Sequence, residues 1–543
     1  MKNIFLFLNL LTFLYSVNAF PQTNSIPLKN GNSVFFGNDL FINDQPSQNQ
    51  KPVAICSAFN GWLYAAFIYD ATLRVPLAKV TVMKSIDNGL SWSFLFDNWW
   101  PSGGYPQYST VDIVTTGNSI SNLKVILAMV VLSNTTLIGS GHVERWNGIT
   151  GMFEQQLVSS GSCYDIALAT DFLYPATSSN PHSLGILYST RWAGLGDDSL
   201  YFRSSSDGGM SLDNERVIAS TGKRFHKVAL AYGRSPSWSS GRYFAAWEEQ
   251  DVSGSMPGRI YTSHSNPNFN SAFTTPVRLD DLDPANTNQC INPAISCQYS
   301  NVDNDSSNLT AIVLFDRYNP SNNKYDINSY YNLQATNHTK FWPMNISDPL
   351  HSNSQSDIAF NPFDYTFMMT YFDSTTLKLP FLVNNFNLRT PNNWQLTSQG
   401  YNDNTNLSNP YPKITVNFDL HSGATSWIAN RDGGNGAAMF DAVPHFWVGI
   451  PETTSGNVSK QLVVYPNPCS NELNFEFELE HPGKVTIILT NIFGQSLHEI
   501  LSRFYPKGKQ QIHYEIKNLP QGNYIYSFKS DEYSISRMVT IIR

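Results

Sequence analysis

From residue 33 to residue 446 the chain alternates short apolar runs with polar breaks, at strand rather than helix length. The segments Pro52-Val53-Ala54-Ile55, Asp112-Ile113-Val114, Asp165-Ile166-Ala167-Leu168, Lys227-Val228-Ala229-Leu230, Pro293-Ala294-Ile295-Ser296, Asp357-Ile358-Ala359-Phe360 and Lys413-Ile414-Thr415-Val416 recur about every 53 to 66 residues. Each is followed by a turn and a second apolar run, such as Trp62 to Tyr69, Val125 to Val131, Tyr243 to Trp247, Leu309 to Phe315 and Tyr365 to Tyr371. Runs of this length bounded by Gly, Asn, Asp and Ser predict strands. A period of this size predicts stacked supersecondary units, so the expected fold is all-β, a β-propeller of six or seven blades. The seventh unit lacks an outer strand after Phe446-Trp447-Val448. Ser33 to Phe36 or Leu40-Phe41-Ile42 is expected to supply it, because joining first blade to last removes exposed sheet edges.

Composition narrows the partners. Of 543 residues only 14% are charged and 13% are aromatic, which suits sheet faces. The net charge of −8 excludes a nucleic-acid partner, since phosphate binding requires a basic surface. Lys2 precedes an apolar run from Ile4 to Tyr15 and then Val17-Asn18-Ala19. That order is a secretory signal peptide, residues 1–19, cut between Ala19 and Phe20. The run falls short of the roughly 20 residues a membrane span needs, and no later stretch reaches that length, so no transmembrane segment is expected in the mature protein. Five cysteines leave at least one unpaired; Cys290 and Cys297 are near enough in sequence to suggest a bridge, and Cys469 is expected to be free.

Residues 449–461 lack apolar periodicity and read as a linker. Beyond it, Leu473 to Phe477, Val485 to Leu489 and Tyr524 to Phe528 predict a small β-sandwich. The order of Val463-Val464-Tyr465-Pro466-Asn467-Pro468, Asn491-Ile492-Phe493-Gly494-Gln495, Leu519 to Tyr526 and Met538 to Arg543 resembles the type A C-terminal sorting domain that Bacteroidetes proteins use for type IX secretion. Arg537 stands where that family usually has Lys. The resemblance covers residues 462–543 and implies passage to the periplasm, then export to the surface or medium by the type IX machinery.

Two further segments, Ser85-Ile86-Asp87-Asn88-Gly89-Leu90-Ser91-Trp92 and Ser205-Ser206-Asp207-Gly208-Gly209-Met210-Ser211-Leu212, resemble the Asp-box (bacterial neuraminidase repeat) of sialidases and other propellers. In such a turn the carboxylate satisfies amides, Gly supplies positive φ and the last apolar residue packs the hairpin. Ser85, Asp87, Gly89, Trp92, Ser205, Asp207, Gly209 and Leu212 are therefore expected to be structural. On this basis residues 20–448 are expected to form an Asp-box, sialidase-like propeller.

Candidate chemistry gathers at the turns after each second strand: Asp70, Arg191, Glu248, Glu249, Asp316, Arg317, Tyr371, Asp373 and Arg431. Charges of both signs beside aromatic rings suit a hydroxylated or ionic ligand. The expected role is recognition of an extracellular glycan or protein surface at this rim. The alternatives are a sialidase-like or other glycoside hydrolase, and a structural or adhesive surface component. Against a sialidase, Gln50-Lys51-Pro52 stands where that family carries its first arginine, and Leu73-Arg74-Val75-Pro76 falls after the second strand. No cofactor and no metal site are implied: Asp280-Asp281-Leu282-Asp283 and Asp303-Asn304-Asp305 offer Ca²⁺ only oxygen ligands without a recognised loop spacing.

Overall fold

The computed structural model describes residues 39–541, except 46–48, 71–76, 102–105, 134–138, 172–182, 192–197, 221, 235–240, 252–256, 266–272, 281–287, 299–309, 333–341, 347–349, 363–365, 386–393, 399–400, 403–405, 418–421, 431–434, 443–461, 466–468, 480–481, 492–495, 517–518 and 531–533. The signal peptide (1–19) and the linker (449–461) lie outside the described residues.

Seven antiparallel blades follow one another along the chain. Blade 1 is Asn49–Ser57, Leu63–Asp70, Leu77–Ser85 and Ser93–Pro101. Blade 2 is Pro106–Thr116, Lys124–Ser133, Gly139–Asn147 and the first part of Phe153–Thr170; the second part of that 18-residue strand is the innermost strand of blade 3, followed by Leu184–Thr190, Leu200–Ser205 and Arg216–Ala219. Blade 4 is Lys223–Gly233, Arg242–Asp251, Arg259–His264 and Val277–Arg278; blade 5 is Cys290–Cys297, Ala311–Asn319, Lys324–Asn332 and Trp342–Asn345. Blade 6 is Asn353–Asn361, Thr366–Asp373, Phe381–Asn385 and Trp394–Ser398. Blade 7 is Lys413–Asn417, Ser422–Asn430 and Gly436–Ala442, with Leu40–Phe41 as its outer strand.

The innermost strands of successive blades lie side by side, and Lys413–Asn417 returns to Asn49–Ser57, so the blades form a closed ring of seven. Leu40 pairs with Phe440 and Phe41 with Met439. The N-terminal segment thus completes the last blade, as the missing strand of the seventh repeat required, and the count of six is excluded.

The apolar runs explain this arrangement. Second strands such as Leu184–Thr190 and Thr366–Asp373 are buried along their whole length, because the sheets of both neighbouring blades cover them. The cores lie between blades: Ile113, Leu127 and Trp146 of blade 2 pack on Tyr64, Val82 and Phe96 of blade 1, with Phe96 and Trp146 stacked at 4.0 Å. All five cysteines are free. Cys290 and Cys297 occupy opposite ends of one extended strand, and at ~3.3 Å per residue they are far beyond bridging reach, so the suggested disulfide does not form.

The Ser85–Trp92 and Ser205–Leu212 turns share one hydrogen-bond plan. Asp87 accepts from Ser85 Oγ (2.8 Å) and Ser91 N (2.9 Å), and Asp207 accepts from Ser205 Oγ (2.7 Å), Met210 N (2.8 Å) and Ser211 N (2.9 Å). Both turns reach beyond their own blade. Trp92 meets Phe440 of blade 7 edge to face at 5.3 Å, and Gly209 O accepts from Arg145 of blade 2 at 2.8 Å.

Residues 462–541 form two facing sheets. One holds Leu462–Tyr465, Glu472–Leu479 and Gly508–Glu515; the other holds Ser496–Tyr505, Gly483–Asn491, Gly522–Lys529 and Ser534–Ile541. Phe475 and Phe477 of the first sheet meet Tyr526 and Phe528 of the second at 5.4 and 4.8 Å. This is a β-sandwich with its core between the layers.

Gly89 has φ +89°, and a Cβ there would lie 1.9 Å from the Phe440 ring. Gly89→Ala is expected to lower stability by about 1–3 kcal/mol through strain and overpacking, read as a fall in Tm, whereas Gly161→Ala, with no atom within 4 Å, leaves Tm unchanged.

Candidate functional site

The innermost strands carry a set of charges around the ring axis that the rim residues do not include. Asp112 of blade 2, Asp165 of blade 3, Lys227 of blade 4, Asp357 of blade 6 and Lys413 of blade 7 each stand at the head of their strand's apolar run. Lys413 Nζ lies 3.3 Å from Asp357 Oδ1, and Lys227 Nζ lies 3.8 Å from Asp165 Oδ1. Desolvation acts to lower the Lys413 pKa, but Asp357, Asp112 and Asp165 overcome it and raise it. The contact is with Asp357 of the neighbouring blade 6, while Asp112 and Asp165 of blades 2 and 3 act on the ammonium through their charge, so the side chain, 46% accessible, faces the ring axis. Burial pushes Asp112 up to about 6, against the Leu168 amide and Lys413 that favour its charge, and Asp357 adds to the rise.

The same carboxylates hold the blades together. Asp112 Oδ2 accepts from Leu168 N of blade 3 (2.7 Å), Asp165 Oδ2 from Val228 N of blade 4 (2.9 Å) and Asp357 Oδ2 from Ile414 N of blade 7 (2.8 Å). Blade 7 is tied to blade 1 by Ala438 N donating to Gln50 Oε1 (2.8 Å), and blade 2 to blade 1 by Thr115 Oγ1 donating to Ser57 O (2.8 Å).

The rim residues divide by role. Glu248 accepts the Asn292 amide of blade 5, and Asp316 accepts the Gln355 amide of blade 6 at 2.9 Å. Asn292 and Gln355 have φ of 53° and 56°, a region that non-glycine residues enter only when their surroundings hold them there. Both carboxyls are buried, and burial pushes each up to about 7. Asp373 caps its own turn through Thr375 N (2.9 Å) and Thr376 Oγ1 (2.6 Å) and meets His351 Nδ1 at 2.7 Å. Tyr371 does not reach the rim: it is 7% exposed and packs in the core with Phe360 and Leu382. Arg317 pairs in register with Asp326, and Glu249 meets Lys223 at 3.8 Å. Asp70 pairs through its backbone with Asn49. Arg431 lies outside the described residues, as do Asp281 to Asp283 and Asp303 to Asp305. Asp280 is held by Arg259 (3.2 Å) and Arg278 (3.0 Å), which leaves it unsuited to a cation. Among the described residues no group of His, Cys, Asp and Glu is arranged to hold a metal ion.

Arg191 is the rim residue that joins the inner set. Its guanidinium lies over the Tyr164 ring at 3.7 Å and its Nη2 is 3.4 Å from His226 Nδ1, and His226 precedes Lys227. The signal that would have found the inner charges was on view, since Asp112, Asp165, Lys227, Asp357 and Lys413 open the repeats.

Comparison with known proteins addresses the other end of the chain. Residues 463–542 match the secretion system C-terminal sorting domain. The protein is exported by type IX secretion, to the cell surface or the extracellular space. Among the described residues no helix is long and apolar enough to cross a membrane. No curated protein matches the chain. Similar solved structures include an α-L-arabinanase of Penicillium chrysogenum complexed with arabinobiose, at 11% identity and a TM-score of 0.43, covering 76% of this chain and 99% of that one. An α-L-arabinofuranosidase of Fusarium graminearum has 10% identity and a TM-score of 0.43, covering 75% and 98%. The β-propeller domain of the Trilobed protease of Pyrococcus furiosus, with an open velcro topology, has 6% identity and a TM-score of 0.37, covering 72% and 93%.

Glu248 and Asp316 set a pH dependence. A carboxyl with its folded pKa raised favours the folded state at low pH, and that contribution is lost as pH rises from the unfolded value near 4 to the folded value of about 7. Asp316→Asn, which keeps an acceptor but cannot ionise, is expected to gain stability relative to the wild type between ~pH 5 and ~pH 8. Denaturant unfolding at the two pH values measures it, and a difference that does not change with pH would contradict the assignment.

Proposed function

We propose that the mature protein is an extracellular glycan-binding propeller whose ligand enters the central channel from the end that carries Lys227, Lys413 and Arg191. The observation that carries this reading is Lys413, an accessible ammonium held by Asp357 at 3.3 Å and acted on by the charges of Asp112 and Asp165. Fixed donors and acceptors beside an aromatic ring are the means by which proteins orient polyols, and the channel supplies the concave setting. Residues 1–19 act in this scheme as a signal peptide and residues 462–543 as the sorting tail, so the ligand is met outside the cell.

Hydrolysis is a second reading, favoured by Asp112. A glycosidase requires one carboxyl that keeps its proton near neutral pH and another that does not, and burial raises Asp112 to about 6.

A glycan array with the mature chain tests binding. Lys413→Ala is expected to weaken capture about tenfold, the order expected for loss of one charged hydrogen bond, while Asp87→Asn, confined to its turn, leaves it unchanged. Binding that is indifferent to both Lys413→Ala and Lys227→Ala would refute the channel as the site. For the second reading, a fluorogenic glycosidase panel should show turnover that Asp112→Asn abolishes; a silent panel removes it.

A further inference from the structure

The segment that leads into the innermost strand of blade 7 holds an aromatic residue in a backbone conformation that its own chemistry disfavours. Tyr411 has φ 44°, in the left-handed region, where a bulky residue is an outlier. Pro412 follows it, and a residue before proline is normally driven to extended backbone. The neighbouring blade imposes the bend. Gln355 Oε1 of blade 6 accepts from Tyr411 N at 3.0 Å, and Gln355 Nε2 donates to Asn409 Oδ1 at 3.3 Å. Between those two points Pro410 O accepts from Ile428 N of blade 7 at 2.8 Å. One glutamine side chain thus holds the segment on both sides of Pro410.

A bend alone does not call for tyrosine. Glycine adopts positive φ without strain, and the comparable bend at Asn292 carries an amide that donates to Asp316 Oδ2 at 2.8 Å. Tyr411 gains little burial from its place, being 45% exposed. Strain of this kind gathers at ligand clamps. Tyr411 and Lys413 are exposed, while Pro412 between them and Ile414 beyond are buried, so ring and ammonium open to the same side. Of the three N–H donors of Lys413, one goes to Asp357, which leaves two for a ligand. The face of an aromatic ring attracts polarised C–H groups. A pyranose with equatorial hydroxyls carries axial C–H groups on its faces and hydroxyls around its edge, so it can meet ring and ammonium together. A furanose, puckered and with substituents on both faces, presents no such surface. We propose that Tyr411 is the stacking platform of the channel site and, with Lys413, selects pyranose over furanose saccharides. This rests on the glycan-binding reading above.

The test is an array of gluco- and xylopyranose oligosaccharides beside arabino- and fructofuranose oligosaccharides of equal length, probed with the mature chain. Pyranose members should bind at least about tenfold better, equivalent to ~1.4 kcal/mol. Tyr411→Asn, which tolerates the bend and loses the ring, should weaken pyranose capture about tenfold while Tm holds or rises. Tyr411→Phe, which keeps the ring, should bind as the wild type does. Equal capture of furanoses, or pyranose binding unmoved in folded Tyr411→Asn, overturns the platform while glycan binding stands. If Tyr411→Asn does not fold, pyranose binding unaltered in Tyr411→Leu has the same force. A folded wild type that captures no saccharide overturns the glycan reading itself and the platform with it.

Discussion

The ring depends on one repeated interaction: a side chain of one blade hydrogen-bonds the backbone of a neighbouring blade. Carboxylates do this between blades 2 and 3, 3 and 4, 4 and 5, 5 and 6, and 6 and 7, through Asp112, Asp165, Glu248, Asp316 and Asp357. Gln50 and Thr115 complete the circuit at the two remaining junctions. Apolar packing between blades is non-directional and by itself would let sheets slide. A carboxylate aimed at one particular amide fixes the register between sheets. Each such amide belongs to an innermost strand or to the closing blade, where water competes least and the bond is strongest.

Closure adds a second constraint from the opposite end of the chain. Blade 7 is complete only when Leu40–Phe41 pairs with Gly436–Ala442, a contact spanning nearly the whole propeller sequence. Forming it carries a loop-closure cost that grows slowly with length. It is supported by neighbours that also bridge blade 1 and blade 7: Trp92 on Phe440, and Gly436 N donating to Asn49 Oδ1 at 2.8 Å. The Ser85–Trp92 turn therefore belongs to ring closure as much as to its own hairpin.

Much of the fold was legible because its determinants are local. Apolar runs such as Val125 to Val131 and turn residues such as Asn88-Gly89 report on their immediate surroundings, and the incomplete last repeat called for a strand from Ser33 to Phe36 or from Leu40-Phe41-Ile42, of which Leu40–Phe41 pairs in blade 7. The single strand from Phe153 to Thr170 was less so, because Ser159-Ser160-Gly161-Ser162 reads as a turn although the chain continues extended from blade 2 into blade 3. The site was harder to read. Tyr371 sits near the end of its strand, as a rim residue should, but which face it takes depends on how the next blade packs. Glu248 and Asp316 have the composition of ligand groups, and only the tertiary structure shows them accepting backbone amides. The inner charges went unused for the opposite reason: as markers of the repeat they read as register signals, not chemistry.

The division of labour between these charges bears on what the channel can do. Asp112 accepts from Ile113 N at Oδ1 and from Leu168 N at Oδ2, Asp165 from Thr110 Oγ1 and Val228 N, and Asp357 from Lys413 Nζ and Ile414 N. Both oxygens of each carboxylate are thus engaged, and at least one of each pair bonds across to a neighbouring blade. A group that must attack or protonate a substrate has to give up such a bond at the moment of reaction, which raises the barrier it is meant to lower. The ammonium groups of Lys227 and Lys413 are placed differently, 49% and 46% accessible and steered by the fixed carboxylates behind them. An arrangement in which the acids are structural and the cations face the channel is preorganised to hold an oxygen-rich ligand rather than to cleave it, and that asymmetry weighs toward recognition.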